Sequence, residues 1–286
     1  MKLVTTTGEL SKRFGDERAL EILKEAGFDG YDYSMFIGNW KELFDDGFIT
    51  RMKKVAKKAA SLGLPCLQAH SPCLMKCPNT ISLDDYVALT IRAIEGAAEL
   101  ECPIIVVHPA FPPLTTEDNC KRLYGALMPT AERLGVVVAT ENMFSWKDET
   151  EAETIPTVCG TAANFIEHID LLPHPNFTAG LDLGHAQMVN CEGAVALIKA
   201  LGKKRIGALH VHDNDLFHDD HTFPFVGQSS WEEITSALAE IGYENAFTFE
   251  ADSFMSRYPD ELLPSCEILL HDTGRYLINL IETKKK

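Results

Sequence analysis

The 286-residue chain has no apolar run approaching the ~18 residues that a membrane-spanning helix needs. Its N-terminus shows none of the charged and apolar regions of a signal peptide. A soluble, cytoplasmic protein with no membrane partner is therefore expected. The eight cysteines, at positions 66, 73, 77, 102, 120, 159, 191 and 266, include no CxxC pair, and a domain of this size needs no disulfide framework. Reduced, partly buried thiols are expected, with Cys73 and Cys77 near enough to His70 to enter a metal or redox site. Basic residues are scarce, 26 Lys and Arg against 42 Asp and Glu, for a net charge of −16. That balance disfavours nucleic acid as a partner, because phosphate contact depends on clustered Lys and Arg. The dense basic run Lys53, Lys54, Lys57 and Lys58 has the spacing of an outer helix face. Linkers and low-complexity stretches are also missing before the Lys284 to Lys286 tail, which reads as a frayed helix end, so residues 1–286 read as one domain.

What the chain does contain is a repeated pattern. An apolar run rich in Val, Ile, Leu and Phe leads into a polar loop and then an amphipathic stretch ending in Gly. Gly27, Gly63, Gly135, Gly202 and Gly242 each stand where a helix would stop in a left-handed turn before the next strand. Strands are expected at Leu3 to Thr7, Gly30 to Ser34, Pro65 to His70, Ile104 to His108, Val136 to Glu141, Phe177 to Asp182, Ile206 to His212 and Ala246 to Glu250. The units are roughly 35 to 40 residues long. Between them lie segments such as Asp84 to Leu100, with Val87, Ile91, Ile94 and Ala98 on one face. Regular alternation predicts a parallel α/β sheet with right-handed crossovers. A closed (β/α)8 barrel is favoured over a doubly wound open sheet, because acids and histidines recur at so many strand ends. A 45 % apolar chain of this length suits one barrel of about 250 residues. The longest strand-to-helix links, Met143 to Gly160, Asn214 to Ser230 and Met35 to Gly47, mark the functional face. Phe144 and Trp146 in the first suit either a substrate-covering loop or a solvated loop with stray aromatics.

His70, His108, Glu141, Asp182, His185, His210, Asp219, His221 and Glu250 all fall at or beyond the C-terminal ends of these strands. In a barrel those ends converge on one mouth. Glu141, Asp182 and Glu250 aimed at one point would repel unless a cation neutralised them. His210 supplies a fourth ligand, and His212 shares its strand face. Three oxygens and an imidazole suit Mn²⁺, Mg²⁺, Co²⁺ or Zn²⁺. Taken singly, a strand-end acid is as readily a helix cap; four in register argue for the metal. His185, three after Asp182 across a sharp turn at Gly184, reaches substrate, a second ion or a structural hydrogen bond. Asp219 and His221 form either a chelating pair or a loop turn.

In its motifs His70-Ser71, His108-Pro109, Glu141-Asn142, Asp182-Leu183-Gly184-His185, His210-Val211-His212-Asp213-Asn214-Asp215, Asp219-x-His221 leading to Trp231, and Phe249-Glu250-Ala251, the chain resembles the xylose isomerase-like barrel superfamily. The resemblance covers nearly the whole chain. It implies that Glu141, Asp182, His210 and Glu250 hold one divalent ion, often Mn²⁺, with Zn²⁺, Co²⁺ or Mg²⁺ as alternatives. It further implies a sugar or sugar-phosphate isomerase or epimerase in which Glu141 and Glu250 move a proton through a metal-stabilised enediolate. His185 and His212 would steady substrate oxygens, with His70, His108 and Trp146 also placed to bind substrate. Leu216 stands where ketose 3-epimerases place a substrate-binding Arg, so their substrate does not transfer directly. No cluster for phosphate stands out on the mouth loops; Lys76, Lys147 and Arg257 are the candidates, each more readily a surface charge. Three alternatives stay open: a zinc phosphodiesterase like endonuclease IV, whose three-zinc site would add His70, His108, His185, Asp219 and His221; a dehydratase of the inosose dehydratase type; and a noncatalytic sugar-binding barrel. A homo-oligomer is compatible with all of them.

Overall fold

The computed structural model describes residues 1–36, 40–73, 81–110, 114–147 and 154–285. Lys76 and Cys77 lie outside them, as do parts of the first and third long links. The strands are β1 (Leu3–Thr6), β2 (Gly30–Ser34), β3 (Cys66–His70), β4 (Ile104–Val107), β5 (Val137–Glu141), β6 (Phe144–Trp146), β7 (Thr154–Pro156), β8 (Phe177–Asp182), β9 (Ile206–His210) and β10 (Phe247–Phe249). Eight pair in parallel in the order β10, β1, β2, β3, β4, β5, β8, β9. The two ends of that order then meet. Val211 donates its N–H to the Thr248 carbonyl at 2.9 Å, and its own carbonyl accepts from the Glu250 N–H at 3.1 Å. These contacts close the sheet into a (β/α)8 barrel and exclude the open alternative.

Helices follow the barrel strands in turn: Asp16–Ala26, Gly47–Leu62, Leu83–Glu99, Gly125–Leu134, Ala162–Leu171, Ala194–Arg205, Trp231–Glu240 and Leu263–Lys284. None of the described helices is long and apolar enough to cross a membrane. Gly27, Gly63, Gly135 and Gly242 have φ of 101°, 60°, 68° and 68° and end or follow their helices as expected. Gly202 differs: with φ 63° and ψ 171° it kinks the chain inside Ala194–Arg205, four residues before β9 begins. Leu83–Glu99 starts where Ser82 Oγ accepts the Asp85 N–H at 3.1 Å. Its fully buried apolar side chains are Tyr86, Leu89, Ala93, Ile94 and Ala97. The expected stripe through Val87, Ile91 and Ala98 is only partly buried, because the contact face is rotated by one position toward the larger Tyr86 and Leu89. The last helix runs to Lys284, whose Nζ lies 2.8 Å from Glu232 Oε1.

The main apolar core fills the space between barrel and helices, with Tyr31, Phe247, Leu277 and Ile281 among its buried members. A separate small cluster of Val106, Ala139 and Ala208 lies inside the barrel. Polar groups complete that interior layer: Gln68 Nε2 is 3.5 Å from Asp32 Oδ2, and the Thr248 hydroxyl donates to Gln68 Oε1 at 3.2 Å. Small and polar residues here leave room for the larger imidazoles and carboxylates in the layer above.

Candidate active site

Parallel register places the charged residues. Asp182 and His210 are direct partners across β8 and β9, and Glu141 stands beside Gly180, two residues below Asp182. Closure through Val211 then brings Glu250 beside His210. His210 Nδ1 is 2.7 Å from Glu141 Oε1, 3.2 Å from Glu250 Oε2 and 3.9 Å from Asp182 Oδ2. Glu141, His210 and Glu250 thus share one locus, while Asp182 stands at its edge, grouped with Glu141 and His185. His70 joins them, its Nε2 lying 3.5 Å from Glu141 Oε2 and 3.9 Å from Glu250 Oε1. The second oxygen of Glu141 also meets His108 Nε2, at 2.7 Å.

His185, His212, Asp219 and His221 form a second group on the β8 and β9 side. His185 Nε2 is 3.4 Å and His212 Nε2 3.8 Å from Asp219 Oδ1, while His221 Nε2 is 3.1 Å from Asp219 Oδ2. His210, the last residue of β9, and His212, two residues beyond it, thus serve different groups. Asp182 bridges them, because its Oδ1 accepts the His212 Nε2–H at 3.0 Å and the His185 backbone N–H at 2.6 Å. It caps the short helix Leu183–Gln187 and still leaves Oδ2 buried without a hydrogen-bond partner. At Gly184 close approach demands glycine: a Cβ there would lie 2.0 Å from His212 Cε1, so the bare backbone admits the imidazole.

Most of these imidazoles are anchored from behind. The Nδ1–H groups of His70, His185 and His221 donate to the carbonyls of Ser71, Asn142 and Glu250 at 2.8, 3.0 and 2.8 Å. A carbonyl can only accept, so Nε2 of each faces the mouth as a ligand or hydrogen-bonding group. His108 Nδ1 has Cys73 Sγ at 3.0 Å. The 213–231 link that carries Asp219 and His221 is organised by Asp213, fully buried, which accepts from the N–H groups of Asn214, Phe225 and Ser229 and from Trp231 Nε1 at 2.9 to 3.0 Å. His221 is held there at φ 43°, in the left-handed region.

Burial raises the pKa of a carboxyl and lowers that of an imidazole, and mutual pairing opposes both. For Glu141 burial is outweighed by His210 and His108, leaving its carboxyl well below the usual range. Asp219 is likewise held well below by His221 and His185 against burial. Burial also works against His210 and His221. Glu250 and Glu141 nonetheless raise the first to about 10, and Asp219 raises the second to about 10. His70 is the exception, kept below its ordinary value by burial that Glu141 does not offset. Such a concentration of oxygen and imidazole donors, including an orphaned Asp182 Oδ2, fits a divalent cation held by Glu141, Asp182, His210 and Glu250.

Two features flank this centre. The 143–160 link, expected as loop, contains a hairpin with Phe144 opposite Pro156 and Trp146 opposite Thr154. Its Phe144 ring is 5.2 Å from that of His185 and 5.5 Å from that of Trp146, so Trp146 reaches the site through Phe144. On the opposite side a cavity of about 310 Å³ is lined by Thr6, Glu9, Ser34, Glu250, Asp252 and Ser256, among others.

A family model for the xylose isomerase-like TIM barrel matches residues 20–263. The chain belongs to that family. Solved structures similar to it include a D-tagatose 3-epimerase-like protein (20 % identity, all of both chains, TM-score 0.72). They also include the 3-keto-D-glucoside 4-epimerase YcjR from E. coli (19 %, covering 98 % of this chain and 99 % of that one, TM-score 0.68). An L-ribulose 3-epimerase is similar too (20 %, 99 % and 95 %, TM-score 0.69). At these identities the likeness shows the fold. An uncharacterised protein of Methanocaldococcus jannaschii, MJ1311, is 30 % identical over 188 residues, and the match spans 60 % of each chain. Another, y4fM of Sinorhizobium fredii, is 36 % identical over 77 residues, with 24 % of its own length matched.

Asp32, which no motif in the sequence marks, also approaches the shared locus, its Oδ2 3.8 Å from His210 Nε2. The β2 segment Tyr31-Asp32-Tyr33 sends both tyrosines into the outer core and the acid into the barrel, fully buried. Strict alternation through a short strand was the available signal. Burial, only partly opposed by His210, pushes Asp32 up to about 7. Leu216 is left-handed at φ 74°, and its carbonyl accepts the Val189 N–H at 2.7 Å.

Proposed function

We propose that this protein is a divalent-metal-dependent isomerase or epimerase of a sugar lacking phosphate. The observation that carries the reading is the approach of Glu141 and Glu250, from β5 and β10, to the same nitrogen of His210 at 2.7 and 3.2 Å. Two carboxylates reaching one locus from different strands can remove a proton from a carbon next to a carbonyl and return it at another position or to the other face. A bound divalent ion polarises the carbonyl and adjacent hydroxyl, acidifying that C–H. His185 and His212 hold substrate oxygens, and Phe144 and Trp146 exclude water from one side. The similarity to proteins named as 3-epimerases and a 4-epimerase of sugars supports the same class of chemistry.

The charge of the described residues supports a sugar without phosphate. The cavity beside Glu250 presents Glu9 and Asp252 with the hydroxyls of Thr6, Ser34, Ser253 and Ser256, against Lys12 alone. Its Lys12 Nζ is engaged by Glu9 at 3.4 Å. Hydroxyls and carboxylates match sugar hydroxyls and repel a phosphate dianion.

Purified protein loaded with Mn²⁺ and incubated with ketoses in D₂O should incorporate deuterium at carbon, read by NMR. E141Q and E250Q should each slow incorporation by about 10²- to 10⁴-fold with the circular dichroism spectrum unchanged. Undiminished exchange in both variants would remove them from the mechanism. A second reading is favoured by the His185, His212, Asp219 and His221 group, which could hold a further ion. About three zinc ions per chain, together with cleavage of abasic-site DNA, would replace the isomerase with a phosphodiesterase like endonuclease IV.

A further inference from the structure

His210 is anchored differently from the other site imidazoles. His70, His185 and His221 turn Nδ1 to a backbone carbonyl and Nε2 to the mouth. His210 is reversed, with Nδ1 on Glu141 and Glu250. Its Nε2 points down into the barrel, where it has no hydrogen-bond partner and Asp32 Oδ2 stands 3.8 Å away. Asp32 is itself fully buried, with Oδ1 unpartnered and Oδ2 touched only at 3.5 Å by Gln68 Nε2. An acid so poorly satisfied costs stability, and an apolar residue of similar size in the barrel interior would avoid that cost.

We infer that Asp32 is the positioning residue behind His210: its carboxylate fixes the imidazole with the proton on Nε2 and makes Nδ1 the stronger donor toward a divalent ion. Outer-shell carboxylates behind metal-binding imidazoles act in this way, by holding the tautomer and raising ligand basicity. The inference rests on the proposed metal site, and it predicts opposite changes in two quantities. Removing the carboxylate weakens the ion's hold, yet relieves the metal-free fold of a buried, poorly paired acid.

The test uses the full chain with Mn²⁺ as the probe, followed by electron paramagnetic resonance of free Mn²⁺ and by thermal melting of metal-free protein. D32N should weaken Mn²⁺ binding by about 10- to 100-fold, with a metal-free melting temperature equal to or above that of the wild type. T248V, which removes the hydroxyl touching Gln68 in the same interior layer, controls for local disturbance and should bind Mn²⁺ within about twofold of the wild type. Wild-type affinity in D32N overturns the inference while leaving the metal site standing. A lowered metal-free melting temperature in D32N, with T248V weakened to the same extent, also overturns it in favour of a purely structural role. Failure of the wild type to bind either Mn²⁺ or Zn²⁺ removes the proposed function and this inference together.

Discussion

The two halves of the mouth hold similar residues by different means. Around Glu141, the groups from β3, β5, β9 and β10 sit on or one residue beyond strand ends, and barrel closure alone brings them within reach of one another. Around Asp219, two of the four side chains come from the 213–231 link, and Asp213 must gather three backbone N–H groups and an indole to give that link its shape. The first half is therefore as rigid as the sheet, while the second is only as firm as a loop carrying left-handed residues at 216, 221 and 225. The two sets stand side by side on separate supports.

The comparison breaks most sharply if the two halves fail together. E141A should lower Mn²⁺ affinity by at least about 100-fold, beyond the range of an outer-shell change. H185A should leave one ion per chain, counted by elemental analysis after gel filtration. Loss of all metal in H185A would mean that the halves form one indivisible site. A second test is pH. In the metal-free protein His210 holds its proton up to about 10, and an ion must displace that proton from Nδ1. Mn²⁺ affinity should accordingly rise from pH 6 to 9, by about tenfold per pH unit for each proton displaced. A flat profile in isothermal titration would show that His210 is not a ligand.

The junction between the halves is Gly184. G184A would drive a methyl into His212, and should cost about 1–3 kcal/mol in urea unfolding while disturbing Asp219-side ligands more than Glu141. The smallest effect tests whether imidazole pairing, rather than position, is what keeps the mouth acids ionised. Glu267, buried in Leu263–Lys284 with neither oxygen hydrogen-bonded, is pushed by burial to about 8 from 4.5. Because the folded value is the higher one, the folded chain keeps a proton between those pH values that the unfolded chain has lost, so stability falls as pH rises through that window. E267Q should flatten this slope and raise stability at pH 8 by about 1 kcal/mol, with no gain at pH 4. An equal gain at both pH values would trace the effect to packing instead.

Much of the barrel was legible because its signals are local. Apolar runs marked all eight strands to within two residues at either end, and Gly27, Gly63, Gly135 and Gly242 marked helix ends through a backbone conformation that glycine adopts at no steric cost. The hairpin of Phe144–Trp146 with Thr154–Pro156 was not legible, since three-residue strands carry too little alternation to stand out from a polar link. The candidate ligands were legible as types at strand ends, because a parallel barrel sends every such end to the same face. Their partition was not.

Residue order by itself determined the fold class and the set of side chains that reach the mouth, because periodicity and strand ends are properties of contiguous sequence. Which of them share a locus was decided only when Val211 met Phe249 and closed the barrel. That contact joins strands whose residues are 38 positions apart and sets Glu250 against His210. Tertiary structure alone also placed Asp32 under His210 and Cys73 behind His108. No spacing in the chain encodes those distances, because they depend on barrel curvature and on side chains packed from opposite strands.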